Sequence, residues 1–413
     1  MNSVTSTSSS YDFTTKINRK GQGSAKWNLM YTQAEGSSLD GIVPFSVADM
    51  ELPHPPEIIN AIHRLLDTTI LGYTMPKDSY FEAVITWQAK RHGWTPQKEW
   101  IVTSPGVVPA FHAAIRALSN PGEGVIIQQP VYYPFMRAIT INNRIIVNNA
   151  LINNRDTCTY QIDFADLEQK AAAPQNKILL LCSPHNPVGR VWTQHELQRI
   201  IDICTRHDVF IISDEIHDDL IMPGHKHTTL LSLMDDTQQT CAMVCTAPSK
   251  TFNLAGFQIS NIFIPDKAIR EKFQLEFTKL GLGMLNAFGY TACETAYTMC
   301  EPWLEEVLKL IWHNYQVLSK LFSEHLPEVK VYPLEGTYLM WLDFSAWPLS
   351  QEELEEFLHT KAQLFLDEGY IFGEEGSCYE RVNLAAPTQT LVEAFMRLRE
   401  AADTVGIRKH QQA

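Results

Sequence analysis

Five short, almost unbroken apolar runs recur along this chain, and polar, chemically capable residues follow several of them. They lie at 124–128 (GVIIQ), 177–182 (KILLLC), 208–213 (DVFIIS), 241–246 and 261–264. A strand with one face in water alternates apolar and polar residues, so runs this continuous are expected where both faces are covered. Amphipathic segments separate several of the runs. The clearest starts at Thr193, where Thr193-Gln194-His195-Glu196 has the form of a capping box and Leu197, Ile200, Ile201 and Cys204 share one face. Another, over 57–70, sets Ile58, Ile62, Leu65, Leu66 and Ile70 at helical spacing. The alternation predicts an α/β fold, a mostly parallel sheet sandwiched by helices, with function gathered at the carboxyl ends of the strands.

From about residue 294 the texture changes. A long helix is expected at 303–322, a strand pair near 329–333 and 337–344, and a further helix at 352–368. This reads as a smaller α+β domain. The expected division is an arm and part of the small domain at 1–54, a large domain at 55–293 and the small domain at 294–413. The Ser/Thr-rich stretch 1–10 and the polar stretch 408–413 are expected to fray.

A chain of 413 residues can bury a sizeable core, and its 33 Lys+Arg against 47 Asp+Glu give a net charge of −14. No run of positive charge forms a track for nucleic acid. Nothing resembles a signal peptide or an apolar membrane span, so a cytoplasmic protein acting on small molecules is expected. Eight cysteines occur without Cys-x-x-Cys spacing, which favours buried, reduced thiols over metal ligands or disulfides. Cys241 and Cys245 are read as core residues of one strand and its end.

Three motifs follow the runs in order. They are Asn186-Pro187-Val188-Gly189, Asp214-Glu215-Ile216-His217, and Lys250 within Ala247-Pro248-Ser249-Lys250-Thr251. Alone, each is ordinary: a turn, a strand end, a surface lysine. Together they supply an amide that can bond a phenolate oxygen, a carboxylate that can hold a pyridine nitrogen protonated, and an amine that can condense with an aldehyde. Those are the contacts pyridoxal 5′-phosphate requires.

These motifs, with Lys26-Trp27-Asn28, Val47-Ala48-Asp49-Met50, Gly72-Tyr73-Thr74, Ser104-Pro105-Gly106-Val107-Val108, Gly224-His225-Lys226-His227 and Arg381-Val382-Asn383, run through nearly the whole chain. The sequence resembles the fold-type-I pyridoxal-phosphate enzymes of the class I/II aminotransferase superfamily, and within it the cystathionine β-lyase or carbon–sulfur lyase branch. The resemblance implies the aspartate aminotransferase type of fold. It also implies a role for each matching residue. Lys250 binds the cofactor and moves the Cα proton, Asp214 faces the ring nitrogen, Asn186 bonds the ring oxygen, and Tyr132 stacks on the ring. Gly106, Val107 and Val108 open a helix whose free amides suit a phosphate, with hydroxyls from Ser249 and Thr246 in support. Without the resemblance, that segment is an ordinary helix start. Tyr73 matches a tyrosine that reaches the phosphate from a neighbouring subunit, so a homodimer is implied.

Arg381 is the implied clamp for the substrate α-carboxylate, helped by Asn186. His217 stands where aminotransferases commonly carry tyrosine, and is read either as shaping the ring-oxygen environment or as a satisfied buried histidine. Three positions depart from the family pattern: Cys378-Tyr379-Glu380 before the arginine bears on specificity, while Ala247 in place of serine and Gln258 where aminotransferases place a phosphate-binding arginine leave the phosphate to neutral donors, which fits the lyase branch. The function implied is α,β-elimination on an L-amino acid with sulfur at Cβ. An aminotransferase and a regulatory binding protein on the same fold are the alternatives.

Overall fold

The computed structural model describes residues 11–34 and 38–407. The stretches 1–10 and 408–413, expected to fray, lie outside the described residues. Seven strands form the main sheet in the order Ile101–Ser104, Ser260–Phe263, Ala242–Thr246, Phe210–Asp214, Asn176–Cys182, Gly124–Ile127 and Ile145–Asn148. Five of these contain the apolar runs. Pairing is parallel from Ala242–Thr246 through to Ile145–Asn148. Ser260–Phe263 runs antiparallel to both of its neighbours. The expectation of a mostly parallel sheet holds, with one reversed strand.

The reason for the unbroken runs is visible in the packing. Ile126, Leu179, Leu181, Ile211 and Val244 join the core on one face of the sheet, while Val125, Ile178, Leu180, Ile212 and Met243 join the core on the other. Neither face meets water, so neither set of alternate residues is polar. Helices cover both faces. The capping box forms as read: Thr193 caps helix Gln194–Arg206, and Glu196 reaches back to the Thr193 amide at 2.8 Å.

A second sheet of four strands, Lys330–Val331, Leu339–Asp343, Tyr379–Asn383 and Asp367–Glu368 in that spatial order, is antiparallel throughout. It packs with the long helix Glu301–His325 and with Thr388–Val405.

Several expectations need correction. The helix expected at 352–368 ends at Thr360, and Asp367–Glu368 is a strand paired with Arg381 and Glu380. Leu364, Phe365 and Leu366 are buried in the core, so their apolar spacing reflects that strand entry rather than another helical turn. The helix read over 57–70 spans Pro56–Thr68, and of its apolar stripe Ile58 is fully buried while Leu66 and Ile70 are exposed. The opening arm contains the helix Ala25–Gln33. Cys241 is only partly buried, in a short 3-10 turn just before strand Ala242–Thr246, whereas Cys245 is fully buried within it. All eight cysteines are free thiols.

Candidate active site

Strand Asn176–Cys182 and strand Phe210–Asp214 end side by side, with Cys182 opposite Asp214. Their carboxyl ends, the start of helix Val107–Leu118, the turn bearing Lys250 and the strand bearing Arg381 surround one cleft. Its lining includes Val107, Val108, Tyr132, Asn186, Asp214, His217, Lys250 and Arg381. Residues drawn from positions more than 270 apart in sequence thus meet at one point, as the three motifs and the resemblance implied. Gly106 caps the helix and Ser249 lies beside Lys250, both just outside the lining. The Thr246 hydroxyl donates to the Asn261 carbonyl at 3.4 Å, and neither Thr246 nor Gln258 lines the cleft.

Asp214 is 3% exposed, and its carboxyl is pushed up to about 7 by burial and by Glu215, against the Ile216 amide and Lys250. The Ile216 N–H donates to Asp214 Oδ1 at 3.2 Å. A carboxyl held this way gains strongly from a cationic partner, because each unit of charge it meets offsets its own desolvation. Lys250 is pushed down to about 8, first by burial and also by Arg381 and Lys26, against the pull of Asp49 and Asp214. Its Nζ donates to the Ala48 carbonyl at 2.6 Å.

Arg381 is 2% exposed and partnered on two sides, donating to Asn186 Oδ1 at 2.8 Å and to Asp367. Its Nε is buried with no partner, as is His217 Nδ1. Since Arg381 takes the oxygen of Asn186, the NH₂ group is the end of that side chain left as a donor. His217 is held neutral, its pKa lowered by burial and by the positive charge of Lys250 and Arg381. Tyr132 lines the same wall, and its amide donates to the Asn186 carbonyl at 3.0 Å.

The helix start supplies anion-binding chemistry. By position the amides of Val107 and Val108 have no carbonyl within their own helix to meet, and Pro109 has no N–H. A Cβ on Gly106 would stand 3.3 Å from Pro109 Cδ at a φ of +154°, so the close turn into the helix calls for glycine. Free amides at one end, a buried carboxyl deeper in, an amine alongside and an aromatic wall fit a flat pyridine aldehyde carrying a phosphate.

Sequence reasoning missed several cleft residues. Val47 and Ala48 lie in a motif that carried the resemblance but no assigned role. Val47 has a φ of +52°, a left-handed conformation that costs a β-branched residue roughly 1–3 kcal/mol. It is held there by Asp367 Oδ2, which accepts the Val47 amide at 2.8 Å, and by Asn383 Nδ2, which donates to the Val47 and Asp49 carbonyls at 2.9 and 2.6 Å. Beneath this loop, Lys26 is fully buried between Asp49 at 3.0 Å and Glu51 at 3.2 Å, with Arg19 bonded to both carboxylates. Asp367 escaped notice because its segment was expected to be helical. Thr251, next to Lys250, donates to buried Asp219 at 2.9 Å, which also takes Trp87 Nε1 at 3.1 Å.

Tyr73 is 97% exposed and stands away from this cleft, on a surface with Leu71, Gly283 and Phe288. Among the described residues no helix is long and apolar enough to cross a membrane.

Comparison with known proteins agrees with the geometry. The chain is 40% identical to the cystathionine beta-lyase PatB of Bacillus subtilis over 94% of its own length and 99% of that protein. It is 29% identical to the protein MalY of Escherichia coli, covering 96% of this chain and 100% of that one. The crystal structure of cystalysin from Treponema denticola, which contains a pyridoxal 5′-phosphate cofactor, superimposes with a TM-score of 0.93 at 46% identity, over 96% of this chain and 99% of that one. A family model described as aminotransferase class I and II matches residues 40–397, and with these likenesses at nearly full length the chain belongs to the class I and II aminotransferase family.

Proposed function

We propose that this protein is a pyridoxal-phosphate-dependent carbon–sulfur β-lyase. It takes L-cystathionine or a related cysteine S-conjugate, with water, to a thiol (homocysteine from cystathionine), pyruvate and ammonia. The observation that carries the reading is the meeting of Lys250, Asp214, Asn186 and Arg381 in one cleft behind a helix start with free amides. The name of the relative that is 40% identical, a cystathionine beta-lyase, supports the reaction class.

When bound, the cofactor supplies an aldehyde for the substrate amine and a ring that accepts the electron pair left at Cα. The rest falls to the chain. The Val107 and Val108 amides and the Ser249 hydroxyl would hold the phosphate, Tyr132 would fix the ring plane, and Asn186 with His217 would set the environment of the ring oxygen. Asp214 becomes a carboxylate against the protonated ring nitrogen, since that partner offsets its burial. Arg381, already tethered by Asn186 and Asp367, receives the substrate carboxylate and so turns the Cα–H bond toward Lys250. Lys250 takes that proton as a neutral amine; the electron pair left at Cα forms the Cα–Cβ double bond as the C–S bond breaks, and Lys250 returns the proton to the sulfur, which leaves as the thiol. Gln258 and Ala247 leave the phosphate held by neutral donors.

The same reading makes the working unit a homodimer, in which Tyr73 of one copy reaches the phosphate of the other. Ile70, Tyr73 and Met75 are 94%, 97% and 68% exposed, a run of apolar surface that a second copy would cover. It divides the chain into an arm and part of the small domain at 1–54, a large cofactor-binding domain at 55–293 and the rest of the small domain at 294–413, supported by the separate four-stranded sheet.

The test is a coupled pyruvate assay over a panel of cysteine thioethers, with a keto-acid acceptor as control. Stoichiometric pyruvate and thiol from cystathionine are expected. Amino transfer to the keto acid without pyruvate would replace the lyase by an aminotransferase.

A further inference from the structure

Away from the cleft, the small domain gathers Glu355, Glu368 and Glu380, none of which has a lysine or arginine partner among the described residues. Helix Gln351–Thr360 sets Glu355 and His359 four residues apart, one turn above each other on the same face. Strand Asp367–Glu368 brings Glu368 directly opposite Glu380 of strand Tyr379–Asn383, so these two side chains share a face of the sheet. Glu355, His359 and Glu368 each offer a ligand atom within 4.8 Å of the others, and His359 Nε2 stands 3.4 Å from Glu368 Oε1. Tyr370 donates its hydroxyl to Glu355 Oε2 at 3.1 Å.

Two observations go beyond a cluster of acids. Glu380 is 3% exposed and its Oε2 is buried with no partner, and Glu368 Oε1 is also buried without a hydrogen bond. Among the described residues, no lysine or arginine pairs with any of the three glutamates. Like charges directly opposite on paired strands destabilise a sheet. A divalent cation fits the three ligand atoms of Glu355, His359 and Glu368 and answers the charge gathered around them.

We propose that Glu355, His359 and Glu368, with the buried, unpartnered carboxyl of Glu380 behind them, bind a first-row divalent cation of the Mn²⁺ or Zn²⁺ class. One imidazole nitrogen with carboxylate oxygens is a donor set that such ions accept. The ion clasps helix Gln351–Thr360 to the two strands that carry Asp367 and Arg381, which directly adjoin Glu368 and Glu380 in sequence. It touches no reacting atom; it holds the register of the sheet behind the clamp. The pattern was hidden in sequence because 352–368 read as one helix.

The test is titration of chelator-treated, desalted holoenzyme with MnCl₂, following free Mn²⁺ by electron paramagnetic resonance and the melting temperature in parallel. Expected is one saturable site per subunit with Kd below about 100 μM and a higher melting temperature on binding. Glu355→Gln and His359→Gln, both on a partly exposed helix face, should each weaken binding at least about tenfold, and Glu380→Gln should do the same. Absence of saturable binding below about 1 mM would overturn the proposal. So would unchanged Mn²⁺ binding in all three variants. A Glu380→Gln protein that melts higher but binds Mn²⁺ like the parent would also overturn it, assigning the cluster to a shared proton.

Discussion

Burial lowers Lys250 from 10.5 to about 8, with Arg381 and Lys26 adding to the effect and Asp49 and Asp214 opposing it. At pH 7 such an amine is neutral in roughly one molecule in ten, against roughly three in ten thousand at its ordinary value. Only the neutral amine attacks an aldehyde. The rate at which cofactor-stripped protein takes up pyridoxal phosphate should therefore rise with pH and level off above about 8, followed by visible absorbance; a rate still climbing steeply past pH 9 would count against burial as the cause. Lys250→Ala should keep its circular dichroism and lose pyruvate release by about 10²-fold or more. Arg381→Lys keeps the charge but loses the fork that meets Asn186 and Asp367 while leaving donors for a carboxylate. Its kcat/KM should fall about 10- to 100-fold, with the larger part in KM, in steady-state assays on cystathionine. The chemical identity of these side chains was legible in the motifs. Their pKa values were not, because burial is contributed by residues far away in sequence.

At the scale of elements, locally encoded features were the legible ones. The capping box at Thr193 needs only four consecutive residues, and it formed as read. Thr193→Ala should lower stability by about 1 kcal/mol in urea unfolding with little effect on activity, since the helix Gln194–Arg206 is anchored by its buried stripe. Strand Asp367–Glu368 was illegible for the opposite reason. Two paired residues are too few to show a period, and their pairing depends on Arg381 and Glu380, fourteen and twelve residues further on. The same distance hid Asp367 as the group that both steadies Arg381 and accepts the Val47 amide. The left-handed Val47 is likewise a product of packing: its valine side chain favours extended backbone, and Asp367 and Asn383, with the Asp49 amide, hold both of its peptide groups against that preference.

For the whole molecule, the exposed run from Ile70 to Met75 and the distance of Tyr73 from its own cleft bear on assembly. If Tyr73 serves the neighbouring subunit, a hybrid of Lys250→Ala and Tyr73→Ala subunits contains one intact site and one doubly altered site. Mixing the two inactive proteins under exchange conditions should restore about one quarter of the parental activity per site, read by pyruvate release. No recovery despite hybrid formation would place Tyr73 outside the catalytic site. The sequence by itself determined the double-sided sheet, because apolar runs of five or six residues can only be covered on both faces, and it determined the cofactor chemistry, because Asn186, Asp214 and Lys250 follow successive strands whose ends must converge. Only the tertiary structure decided how that chemistry is tuned. The depth of Asp214, the lowered Lys250, the tethering of Arg381 by Asp367 and the strained loop at Val47 each arise between segments brought together by folding. Desolvation and cross-chain hydrogen bonds depend on distance in space, and no local pattern of residues records that distance.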